Sequence, residues 1–265
     1  MKELKDAADE GKKPFSWACE HRIRKDYRDL TPAERALYWK AARTAKTTPA
    51  GTYGTDSRPG KNVYDTFVMI HAFKSNKPQA HSTSAFLPWH RKFLLEFESA
   101  LRALPGDENF KCLTLPYWDW SQNAEMCAQN PACVTWHKYD PVLLDSGGPG
   151  RKDGKIIGRG TSGSAFGGRR MPGGGVGCMR DDSPFSDWVD HNGKCLSRGY
   201  DWDFGTNKKD RKGPLVSYMQ LMDIIHHRKD YGTTKGFRVG LEGYPHNTQH
   251  NMLGARMPNT RGLIL

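Results

Sequence analysis

Four histidines sit where helical periodicity places apolar side chains, and this limits the folds open to the chain more than any other feature. In NVYDTFVMIHAF, at 62–73, Tyr64, Phe67, Val68 and His71 recur at i, i+3, i+4 and i+7. In HRKFLLEFESALRAL, from His90 to Leu104, His90, Phe93, Leu94, Phe97 and Leu101 share one face while Arg91, Glu98 and Arg102 point elsewhere. His246 and His250, in PHNTQH, are spaced i, i+4 and lie one turn apart on the same helix face. A single histidine on an apolar face is commonly satisfied by one hydrogen bond. Several imidazoles turned toward one interior are costly unless something binds them. A metal removes that cost, and imidazole-only ligation suits copper or zinc rather than magnesium or calcium. HNTQH lacks the glutamate of a zinc protease helix, which favours copper.

The remaining periodic segments are also helical. Thr31, Pro32 and Glu34 form a capping-box start to a helix predicted over 31–45. Further helices are predicted near 214–229 and from about Pro245 onward. TPAGTYGTDSRPG breaks the chain at 48–60, and LTLPYWDW at 113–120 carries Pro116 and reads as extended or irregular. Residues 121–212 are loop-rich. Nothing repeats at a fixed period and no stretch alternates cleanly as a strand, so the expected class is mainly α with long loop-rich insertions.

The chain of 265 residues is long enough to bury a core without metals or disulfides. Its 40 Lys+Arg against 29 Asp+Glu give +11, a balance that suits nucleic acid or anionic membranes. The excess is concentrated in 147–177, where six Lys/Arg and thirteen glycines face one acid, Asp153; this reads as a basic surface loop. No aromatic-interleaved basic helix accompanies it, so no nucleic-acid partner is expected. No run of about 18 apolar residues occurs, so no membrane partner is expected either. Cys127 and Cys133 bracket one short loop and Cys178 and Cys195 another, while no C-x-x-C pair suggests zinc. Six cysteines therefore read as disulfides formed in an oxidising compartment, although MKELKDAADEGKK lacks a secretory signal.

HSTSAFLPWHRKFLLEFESALR, from His81 to Arg102, resembles the first copper motif of the type 3 copper proteins, the tyrosinases, catechol oxidases and haemocyanins. LEGYPHNTQHNMLG, from Leu241 to Gly254, resembles the start of their second motif. Weaker echoes are ACEHRIRKDYRDLTPAER, LPYWDW and the run from Gly177 to Arg198. The resemblance implies a four-helix bundle around two copper ions. It implies that His71, His81 and His90 bind one copper and that His246 and His250 supply two ligands of the other. It assigns to Glu242 a water beside the coppers and to Asn247 the orientation of that water; a phenol must lose its proton before ligating copper, and such a water can accept it. Phe86 would pack against a ligand ring. Gln79 stands where many members carry a cysteine linked to the second histidine, so no such thioether is expected.

The activity implied is oxidation of small phenols or catechols to o-quinones by O₂, in one tyrosinase-like domain over 1–265. Rival readings are a haemocyanin-like oxygen carrier and an inactive fragment holding one copper. The family's sixth ligand lies in a His-His pair after the second motif, but His226-His227 precedes it. The chain is therefore expected to stop before the last ligand helix. His21, His137 and His191 read as surface residues, and the family's habits point to a secreted protein.

Overall fold

A computed structural model describes residues 19, 22–51, 61–72, 77–129, 140–148, 150–151, 156–159, 175–189, 193, 195–199, 216–228, 230–231 and 236–246. The described residues are mainly helical, with long loops, as expected. Their α-helices are α1 (Pro32–Thr47), α2 (Val63–Ala72), α3 (Lys77–Ala80), α4 (Phe86–Arg102), α5 (Trp120–Gln129), α6 (Pro141–Asp145), α7 (Tyr218–His227) and α8 (Phe237–Leu241). They divide into two compact units, one drawn from 19–72 and 88–118, the other from 77–87 and 119–246.

In the first unit α1 opens with the expected reciprocal cap: the Thr31 hydroxyl accepts from the Glu34 amide and the Glu34 carboxylate accepts from the Thr31 amide at 2.8 Å. Two of the four free amides at this helix start are thereby satisfied or held. Leu37, Tyr38, Ala41, Ala42 and Ala45 form the buried face of α1, which packs against α2. The small alanines permit the close approach. Lys46 of α1 pairs with the buried Asp65 of α2, whose other oxygen accepts from the Asn62 side chain at 2.8 Å. The α2 stripe meets α4 through aromatic rings: Phe67 lies 5.7 Å from Phe93 and 5.1 Å from Phe97, centroid to centroid. Each such ring contributes roughly 1.5–3 kcal/mol by leaving water.

The Pro116 segment is irregular, as predicted, and the buried Glu98 of α4 ties it down. That carboxylate accepts from Arg24 Nε and from the Leu115 amide, both at 2.9 Å. Tyr117 exchanges backbone hydrogen bonds with Lys25 and Tyr27. A disulfide joins Cys19 to Cys112, 93 positions apart.

The second unit holds α5 to α8 and a small antiparallel sheet of β1 (Ile156–Arg159), β2 (Gly175–Cys178) and β3 (Ser197–Gly199), in the order β1-β2-β3. Val176 pairs with Arg159's neighbour Gly158 on one side and with Gly199 on the other. Cys178 and Cys195, one of the loop-bracketing pairs, form a disulfide; Cys133 and the Cys127 side chain lie outside the described residues. Gly147 has φ +96°, and a Cβ there would stand 2.7 Å from the Met179 methyl and 2.8 Å from the Phe185 ring, so only glycine fits.

Several boundaries depart from the sequence reading. Helix α4 starts at Phe86 rather than His90, because Pro88 lies in its first turn, where a missing amide costs nothing. Helices α5 and α6 occupy a region read as loop, and β1 and most of β2 lie within 147–177. Strands of four residues, rich in glycine, carry no readable alternation. Helical chain begins at Phe237 rather than Pro245, with Glu242–His246 widened into a π-turn that contains Pro245.

Candidate metal centre

Helices α2 and α4 each present one histidine on their apolar stripe. His71 is buried, and its Nε2 lies 3.3 Å from Nε2 of His90. Aromatic rings fix both imidazoles. Trp89 stacks on Phe93 at 5.1 Å with planes 12° apart, and the His71 ring lies 5.9 Å from Trp89 and 5.6 Å from Phe93. Apolar packing therefore limits the rotation of each ring.

His81 lies in the turn before α4 and His246 ends the π-turn after α8. Their ring centroids are 5.8 Å apart. The Phe86 ring stands edge-on to His246 at 5.0 Å and 6.1 Å from His81, as a packing residue would. Glu242 is buried on the same π-turn. Its Oε1 accepts from the Ser82 amide at 2.6 Å and its Oε2 from Arg238 Nη1 at 2.5 Å. Ser82, next to His81, has φ +61°, a left-handed conformation that costs an ordinary residue about 1–2 kcal/mol. The hydrogen bond to Glu242 helps to offset that cost.

His71 and His90 thus bring two imidazole nitrogens together within the first unit. This is an all-imidazole donor set of the kind that binds copper or zinc. Two nitrogens held about 2.0–2.1 Å from one tetrahedral ion stand roughly 3.3–3.4 Å apart. The 3.3 Å between His71 and His90 matches that span. Without a metal the same contact requires one ring to donate and the other to accept. The residues thus fit a metal ion of this class.

Of the other residues singled out in the sequence, Asn247, His250, His21, His137 and His191 lie outside the described residues. His227 is exposed at the end of α7, where Nδ1 lies 2.9 Å from Asp223, so it stands in a surface side-chain contact instead of an interior ligand set. Arg238 and Ser82 escaped the sequence reading. Arg238 stands four residues before Glu242, a helical ion-pair spacing that was legible once 237–241 is taken as helix. The conformation of Ser82 left no sequence signal.

Residues 61–261 match the model of the common central domain of tyrosinase. The chain is 35% identical over 130 residues to the tyrosinase of Canis lupus familiaris, covering 40% of this chain and 24% of that protein. Identity to the tyrosinase of Bos taurus is 34% over 143 residues, covering 42% and 26%. A tyrosinase-like protein of Diaporthe leptostromiformis is 29% identical over 197 residues, covering 67% of this chain and 42% of its own. The chain thus spans about a quarter to two fifths of these relatives. A family match over most of the chain, on a helical scaffold that sets His71 beside His90, leads to one conclusion: the chain belongs to the tyrosinase family of type 3 copper proteins.

Proposed function

We propose that the protein oxidises small phenols or catechols to o-quinones with O₂ at a pair of copper ions. The 3.3 Å approach of the His71 and His90 nitrogens within a family-matched segment carries this reading. These three would hold one copper, and His246 with His250 would supply ligands to the other. Bound copper supplies the electron transfer from substrate to O₂ that no side chain provides. The chain contributes position, exclusion of water and proton handling. His71 and His90 are locked by Trp89 and Phe93, so a bound ion meets preset ligands in apolar surroundings.

Glu242 would hold the water that accepts the phenol proton, with Asn247 orienting it. Its two contacts among the described residues leave room for this, because a carboxylate offers about four acceptor positions. The Cys19–Cys112 and Cys178–Cys195 disulfides support an oxidising, extracytoplasmic location. Among the described residues no helix is long and apolar enough to cross a membrane. Copper loading followed by oxygen uptake with catechol tests the reading. Two coppers per chain and uptake are expected; fewer than two coppers, or no uptake, overturns it.

A further inference from the structure

Arg238 belongs to no expected ligand set, yet it is buried at 9% exposure in a helix turn that leads directly to His246. Its Nη1 holds Glu242, and its Nε is buried with no hydrogen-bond partner among the described residues. A guanidinium is expensive to bury, so its retention here implies a task. The helix that carries it is itself closely packed. A Cβ at Gly240 would come within 2.7 Å of Arg228 Cδ and 3.1 Å of Ile224 Cγ2, so side chains from the C-terminal end of α7 pack directly against the α8 backbone at this glycine. Glu242 in turn reaches the Ser82 amide, adjacent to His81. A second tether, from the Tyr231 hydroxyl to the Ser84 carbonyl at 2.9 Å, holds the far side of the same turn. A continuous polar path therefore runs from α8 through Arg238 and Glu242 to the backbone at His81.

We propose that Arg238 is a positioning residue: by aiming Glu242 at the Ser82 amide, it sets the separation of His81 and His246 and so the spacing of the two metal ions. This rests on the dicopper reading above. Removing Arg238 leaves the metal ligands intact but frees the Glu242 carboxylate to turn, and the Ser82 turn relaxes away from the π-turn. Loss of such an orienting partner weakens metal affinity by roughly 10- to 100-fold.

Copper affinity and the fraction of bound Cu(II) visible by EPR test this. Two close, bridged Cu(II) ions couple and lose their signal, whereas separated ions show it. In Arg238→Met the affinity should fall by about that factor and the visible fraction should rise, while Arg238→Lys, which keeps a donor to Glu242, restores both toward wild type. Should Arg238→Met not fold, Arg238→Met/Glu242→Gln removes the buried charges together and should show the same rise. Wild-type affinity and an unchanged visible fraction in a folded variant would overturn the proposal. So would copper content falling with thermal stability while the visible fraction stays put, the mark of a purely structural residue. Wild-type protein that binds fewer than two coppers would instead overturn the dicopper reading itself.

Discussion

His71 and His90 are placed by regular helices whose apolar stripes interlock, whereas His81 and His246 are placed by a left-handed turn and a π-turn tied by buried charge. The first arrangement is stiff because rings fill the space around each imidazole. The second is directed, since one carboxylate with two partners decides where the turn lies. Packing tolerates hydrophobic exchange of similar volume, but a directed hydrogen bond to a buried carboxylate has no apolar substitute. Substitutions should therefore act differently in the two regions.

The largest effect is expected from His90→Ala, which removes a proposed first-site ligand and should abolish catechol oxidation while lowering copper content by one ion per chain; full copper content would detach His90 from the site. Next, Phe93→Ala should cost about 3–5 kcal/mol in denaturant unfolding, as for other buried aromatic truncations. A cost under about 1 kcal/mol would mean that packing does not hold the His71/His90 region. Glu242→Gln should depress monophenol turnover by roughly 100-fold, the scale of a lost general base, and diphenol turnover less. Equal losses would leave Glu242 a brace without a proton-accepting role. Ser82→Gly should raise stability by up to about 1 kcal/mol, because glycine adopts the left-handed turn freely, although its looser unfolded state takes back part of the gain.

The smallest effect lies remote from the metal. Burial alone would raise the Glu34 carboxyl, but hydrogen bonds from Lys25 and Thr31 outweigh it and hold the group below its ordinary value of 4.5. Its contribution to stability is therefore complete above that value and is lost as pH falls through the lowered folded-state value. Glu34→Gln should flatten this acid limb of the stability profile and leave copper binding unchanged.

What could be read in the sequence follows the same division. The period of 3.6 residues is written locally, so the α2 and α4 stripes with His71 and His90 stand out, as does the Thr31–Glu34 cap. The other half depends on long-range or irregular backbone. Because helix was expected to begin at Pro245, Arg238 fell in presumed loop and its spacing from Glu242 went unused. Ser82 meets Glu242 across 160 positions, and nothing near Ser82 announces its positive φ. Cys178 and Cys195 bracket a Pro/Gly-containing loop and so are one pairing among several that the sequence leaves open, whereas nothing local joins Cys19 to Cys112. The short strands at 156–159 and 175–178 are stabilised by their partners across the sheet, information that no single strand contains.

The Cys19–Cys112 bond has a topological result: it closes a covalent ring through the chain, and His71, His81 and His90 all lie on it. Closing a ring of this size restricts the unfolded chain by about 4–5 kcal/mol in the chain-entropy picture. A protease that cuts once inside the ring produces two polypeptides but still one molecule, with all three histidines attached to it. Such a nicked form should keep its first metal through electrophoresis under oxidising conditions and separate into pieces only when a thiol is added, so the reduction state of two cysteines decides whether a damaged chain can still hold it.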